Sequence, residues 1–224
     1  MSSYGQFCPV AKAMEVLDER WTLLVIRELM LGSTHFNELR RGVPKMSPAL
    51  LSKRLRSLER AGIITRSQQG NRVVYGVTAS GRELFPVVEA LGLWGLRWIH
   101  QLGEEDLDPH LLLWDMRRTI PVDEWPRART TLAIDLADVE PGGRHWWVVV
   151  SGSEVDVCDV DPGHEVTATL RTELLTLTQI WRGDLPWPAA LRTGAVEISG
   201  PDMARRNVPR WLGTSGLARS LGTG

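Results

Sequence analysis

The stretch SPALLSKRLRSLERAGII, Ser47 to Ile64, sets four cations, Lys53, Arg54, Arg56 and Arg60, within eight positions. A basic helix of that kind is a solvated surface, a membrane-binding face or a nucleic-acid-reading face, and what surrounds it decides which. Residues 34–75 carry nine Lys/Arg against two Asp/Glu, a local charge of +7 inside a chain whose net charge is −1. The other reactive side chains do not assemble. His35, His100, His110, His145 and His164 are scattered, and Cys158 and His164 do not stand at a usual zinc spacing. No nucleophile elbow, phosphate loop or dinucleotide fingerprint occurs. The expectation is a protein with no metal, no cofactor and no catalytic residues, and therefore not an enzyme.

The basic stretch needs elements that present it. Ser47 reads as an N-cap with Pro48 at the first helical position, where its missing N–H does no harm. On a helical wheel Leu51, Leu55 and Leu58 form one narrow seam, and Ala49, Ser52, Lys53, Arg56 and Arg60 gather opposite. Upstream, Val10, Met14, Leu17, Trp21, Leu24 and Val25 recur at helical intervals, with Asp18-Glu19-Arg20 dividing two helices. Thr34 is placed to cap a short helix holding Phe36 and Leu39. Downstream, IITRSQQGNRVVYGVT reads as a hairpin turning at Gln69-Gly70-Asn71, with Val73, Tyr75 and Val77 inward. Thr78 then caps a long helix whose Leu84, Val88, Leu91, Gly95, Trp98 and Leu102 form a heptad-like stripe fit for a partner helix.

Helix, helix, short helix, basic helix, hairpin, long helix is the plan of a winged helix-turn-helix, whose basic helix enters the major groove of duplex DNA. The groove-side residues are then Ser47, Ala49, Ser52, Lys53 and Arg56, with Arg72 of the wing where the hairpin meets the backbone or minor groove of the duplex. Residues Cys8 to Trp98 resemble the HxlR family of bacterial transcriptional regulators. The marks are Cys8-Pro9, Arg20-Trp21-Thr22, Phe36-x-x-Leu39, Ser47-Pro48-x-Leu50-Leu51-Ser52, Leu58-Glu59-x-Ala61-Gly62 and Thr78-x-x-Gly81. Ala79 stands where the family usually has an acidic residue. The resemblance implies a homodimer, joined through the first and last helices of the domain, on an operator of two-fold symmetry. It also implies that Cys8 matches a position at which some members sense oxidants. Lys12, one turn on, is placed to lower the thiol pKa, against a plain packing role for this small side chain.

From about Asp108 the texture changes. Seven of the ten tryptophans follow residue 110, and the charge of residues 107–224 is −4 against +3 before them. TTLAIDL, HWWVVVSGSEVDVCDV and EVTATLRT read as strands, TELLTLTQIWRGDL and PWPAALRTG as helices, AVEISG as a last strand and PDMARRNVPRWLG as a closing helix. The fold class expected is α+β, with a winged helix-turn-helix domain at 1–106 and an α+β domain at 107–224. The segment 167–213 resembles the end of a sterol-carrier-protein-type domain, which implies an apolar tunnel for a hydrophobic small molecule. By character, Trp114, Trp146, Trp147, Leu174, Leu177, Trp181 and Trp187 are candidate lining residues, each also explicable as ordinary core. The alternatives are a ligand-free oligomerisation or docking module, or a lipid carrier. Two cysteines, no signal-peptide order and no apolar run near the roughly 20 residues of a membrane span point to the cytoplasm.

Overall fold

The computed structural model describes residues 3–222, the side chains of 221 and 222 excepted. It divides into two compact units after Gly92, where composition draws the boundary at 106/107.

The first unit opens with α1 (Pro9–Leu17) and α2 (Thr22–Met30), then α3 (Phe36–Gly42) and α4 (Pro48–Arg60). Strands β1 (Ile64–Gln69) and β2 (Arg72–Val77) form an antiparallel hairpin, followed by α5 (Ala79–Glu83) and α6 (Phe85–Trp98). Its core joins Val25, Ile26 and Leu29 of α2, Leu39 of α3 and Leu51, Leu55 and Leu58 of α4 to Ile63 and Ile64. Each of the three α4 leucines is buried to 2% exposure or less, worth about 1.5–3 kcal/mol apiece. That seam fixes the rotation of α4 about its axis.

Three local expectations change. The short helix is capped one residue later, at His35, because the Thr34 carbonyl accepts the Tyr75 N–H at 2.8 Å and so holds Thr34 against β2. The Thr34 and His35 N–H groups donate instead to Glu38, at 2.8 and 3.0 Å. Gln69 pairs with Arg72, which leaves only Gly70 and Asn71 in the hairpin turn. The helix after Thr78 is two helices, because Pro86 lacks the N–H that would continue the ladder and its ring crowds the preceding turn. Thr78 does cap α5, its hydroxyl accepting from the Gly81 N–H and donating to the Gly62 and Ile63 carbonyls. Gly81 is required there, since a Cβ would collide with the Ile63 carbonyl oxygen.

The second unit begins within α6. Then come α7 (Pro109–Thr119), β3 (Thr130–Leu136), α8 (Pro141–Arg144), β4 (His145–Ser151), β5 (Glu154–Cys158) and β6 (Ala168–Thr172). It ends with α9 (Leu174–Arg182), α10 (Trp187–Thr193), β7 (Val196–Ser199), α11 (Asp202–Leu212) and α12 (Gly216–Gly222). The five strands lie in the order β5-β4-β3-β6-β7, antiparallel except for the β3–β6 pair. This is an α+β unit with a mixed sheet. Successive strand residues face opposite sides, so Leu132, Ile134, Leu136, Trp146, Val148, Val150, Ala168, Leu170 and Val196 share the buried face. Leu112, Leu113 and Met116 of α7, Leu177, Ile180 and Trp181 of α9, and Val208 and Trp211 of α11 complete that core. Trp125 stacks on Trp211 at 4.9 Å and donates to its carbonyl at 2.7 Å. Among the described residues, no helix is long and apolar enough to cross a membrane.

Candidate nucleic-acid interface

Helix α4 is set up locally as its sequence requires. The Ser47 hydroxyl accepts the Leu50 N–H at 3.3 Å, and Pro48 occupies the first turn. With the leucine seam buried, Ser47, Ala49, Lys53 and Arg56 stand exposed and Ser52 half-buried. Small and hydroxyl side chains therefore open the outer face of the helix, and cations follow along it. Arg72 and Arg66 are exposed on the hairpin.

The four cations of the opening stretch do not act together. Arg60 lies back along its own helix, its Nε donating to the Arg56 carbonyl and its Nη2 to the Ser57 hydroxyl, both at 3.3 Å. Arg54 turns inward. It is 8% exposed, its Nε donates to the Arg20 carbonyl at 3.1 Å, and its guanidinium meets the Glu19 carboxylate. Arg54 stands three residues after Leu51 and four before Leu58, so its place at the edge of the leucine seam was the signal available in the sequence for this inward turn.

A second buried charge braces α2 against α3. Glu28 is fully buried, pairs with Arg27 at 2.8 Å and accepts from the Ser33 hydroxyl at 3.3 Å. Gly42 leaves the space its carboxylate fills.

At the N-terminal end, Cys8 is half-buried at the N-cap of α1. Its thiol is held below the ordinary cysteine range by the N–H groups of Ala11 and Val10. Lys12 is not the cause, because its ammonium pairs with Glu15 at 2.9 Å. Cys158 is shifted the other way, raised by burial and by Asp156 and Asp159.

The aromatic candidates of the second unit do not form one set. Trp146, Leu174, Leu177 and Trp181 are buried in its core, with Trp187 packed against them. Trp147 follows Trp146 on β4 and so faces the opposite side of the sheet. Trp114 lies about half a turn of α7 from Leu112 and Met116 and carries the Arg117 and Arg118 guanidinium groups over its ring, at 5.8 and 5.1 Å. Helix α7 itself has a readable start, Asp108-Pro109, where the aspartate accepts from the His110 and Leu111 N–H groups. Among the described residues, no group of three or more His, Cys, Asp or Glu side chains could hold a metal ion.

Comparison with known proteins bears on the first unit. The HxlR-like helix-turn-helix family matches residues 16–102. The HTH-type transcriptional regulator sll1512 of Synechocystis sp. is 39% identical over 100 residues, which are 43% of this chain and 74% of that protein. The chain belongs to the HxlR-like helix-turn-helix family. YvaP of Bacillus subtilis, another HTH-type transcriptional regulator, is 33% identical over 99 residues, covering 42% of this chain and 92% of that protein. Rv3095 of Mycobacterium tuberculosis, named likewise, is 34% identical over 119 residues, covering 46% and 73%. The HxlR-like match thus takes in α2 to α6 and ends at residue 102, ahead of the mixed sheet.

Proposed function

We propose that this HxlR-like protein is a transcriptional regulator that binds duplex DNA in the cytoplasm as a homodimer, on an operator of two-fold symmetry. One observation carries the reading. The leucine seam and the inward Arg54 pin α4 so that Ser47, Ala49, Ser52, Lys53 and Arg56 form its outer edge. Lys53, Arg56 and Arg72 contact phosphates, and the small residues at the helix start lie against base edges. The names of sll1512, YvaP and Rv3095 support the same role.

The homodimer rests on exposed apolar surface. Val87, Leu91, Trp94 and Trp98 of α6 follow one another at four, three and four residues and are each about half exposed or more. Phe7, Val10 and Met14 at α1 are exposed as well, Phe7 to 97%. For both copies of α4 to enter successive major grooves, a dimer joined through these surfaces has to hold them roughly one DNA turn apart, about 34–36 Å. Selection of duplexes from a random pool tests the reading, since it should enrich two inverted half-sites. Recovery of no enriched sequence would refute it.

For the second unit we propose a hydrophobic small-molecule effector taken up beside Trp146, Leu174, Leu177, Trp181 and Trp187. Support comes from the succession β6, α9, α10, β7, α11, which follows the order of a sterol-carrier-type domain end. Binding would act by favouring one dimer geometry over another. A second reading, a ligand-free docking module, is favoured by the tight burial of Leu177 and Trp181. Titration of a hydrophobic compound set against tryptophan fluorescence and operator affinity separates them. Cys8, with its lowered pKa, is the candidate redox residue of the first unit.

A further inference from the structure

We infer that Arg54 is a positioning residue that ties the DNA-reading helix to the turn between α1 and α2, so that the dimer face and the recognition helix move as one body. The inference rests on the DNA-binding homodimer proposed above.

Arg54 stands on the helix that carries Lys53 and Arg56, yet its side chain runs the other way. Its Nε reaches the Arg20 carbonyl at 3.1 Å and its guanidinium engages the Glu19 carboxylate, 34 and 35 positions earlier in the chain. A planar guanidinium can hold a carbonyl and a carboxylate together, whereas a lysine ammonium offers a point charge without that fork. The turn it grips has a constrained backbone. Trp21 adopts φ 79°, the one non-glycine residue with positive φ among the described residues. A bulky side chain holds that conformation only where its surroundings impose it. Arg20 lies over the Trp21 ring at 5.3 Å, and Thr22 starts α2 directly behind.

The tie continues outward. Asp18, which ends α1, accepts the Tyr4 hydroxyl at 2.7 Å, and Glu15 accepts the Ser3 hydroxyl at 2.9 Å and the Tyr4 N–H at 3.1 Å. A continuous set of contacts therefore runs from the N-terminal arm through α1 and the Glu19-Arg20-Trp21 turn to Arg54 in the middle of α4. The apolar residues assigned to dimerisation, Phe7, Val10 and Met14, sit at the far end of it. Through this path the dimer contact sets where each recognition helix lies, and hence the separation of half-sites the dimer accepts.

The test uses duplexes selected by the full-length wild-type protein, with one or two base pairs then inserted or deleted between the half-sites. R54K and E19Q are measured against wild type, with K53A as the phosphate-contact control. E19Q removes only one charge from a half-buried carboxylate and keeps the test open should R54K not fold. On the selected spacing both variants should lose about tenfold in affinity. The penalty for altered spacing should fall at least threefold below that of wild type, while the salt dependence of binding stays as in wild type. A spacing penalty equal to that of wild type overturns the inference. So does a salt slope lowered by about one unit, which would make Arg54 a phosphate contact. K53A judges the underlying reading separately: if it leaves the salt slope unaltered, the orientation of α4 on DNA is wrong whatever Arg54 does.

Discussion

Replacing Lys53 and Arg56 together by alanine removes two exposed cations from α4 and touches neither the leucine seam nor the Arg54 contacts. The fold should therefore survive with little loss, as is usual for surface substitutions. Each phosphate contact contributes about −0.9 to the slope of log affinity against log salt concentration. A fourfold rise in salt, from about 50 to 200 mM, then weakens binding about 3.5-fold per contact, or about 12-fold for two. The wild type should lose about 12-fold more affinity over that range than the double variant. Fluorescence anisotropy on a selected duplex, at five or six salt concentrations, measures both slopes. Arg60→Ala is the internal control, because Arg60 lies along its own helix against Arg56 and Ser57, and it should leave the slope unchanged. Equal slopes for wild type and double variant, or a drop for Arg60→Ala matching theirs, would refute the assignment of which edge of α4 faces the duplex.

Trp94→Glu with Trp98→Glu places charge in the exposed α6 seam and should convert a dimer to monomer in sedimentation velocity, with operator affinity falling at least a hundredfold. Cys8 should alkylate faster than Cys158 at pH 7.5, because its N-cap position lowers the thiol pKa while burial and Asp156 raise that of Cys158; mass spectrometry after brief iodoacetamide treatment reads the order. Gly42→Ala drives a Cβ into the buried Glu28 carboxylate and should destabilise the first unit by about 2–4 kcal/mol in urea unfolding. Asp135→Asn should cost about 1 kcal/mol at pH 7, discounted for solvent screening. Arg144, then Arg171 and His145, depress the folded-state pKa of Asp135. Its stabilisation is thus present above the unfolded-state value and lost as pH falls through the folded one, so wild type and variant should converge in stability in acid.

Where one side chain decides an element, that element was legible in the sequence. Ser47-Pro48 started α4, the leucine spacing gave its buried face, and TTLAIDL gave β3 to the residue. What escaped depended on which partner or face each side chain finds once the chain is folded. Thr34 had the composition of a cap, but Tyr75, far along the chain, takes its carbonyl. Arg54 has a wheel position at the edge of the leucine seam, but the partners that hold it there, Glu19 and Arg20, come within reach only in the fold. Lys12 looked placed for Cys8, and the nearer acid, Glu15, holds it. The aromatic residues of the second unit were grouped by character, and strand alternation separates Trp146 from Trp147 by the thickness of the sheet.

The α6 seam shows how close two readings of one helix can lie. A continuous helix from Thr78 puts Leu84, Val88, Leu91, Gly95 and Trp98 on one stripe. Pro86 breaks that continuity and separates Leu84 from the helix that carries the rest of the stripe. Leu84, Phe85 and Val88 pack onto the core of their own unit, and within α6 the exposed stripe is Val87, Leu91, Trp94 and Trp98. Two residues of the expected stripe, Leu91 and Trp98, lie on both, which is why the sequence pattern looked convincing. Val87 and Trp94 expose more apolar surface than the Val88 and Gly95 of the expected stripe, which strengthens the case for a second copy on this face. The residues after Pro86 are thus divided by face and not by the break: Val88 turns to the core of the first unit, while Val87, Leu91, Trp94 and Trp98 stay exposed along one side of α6.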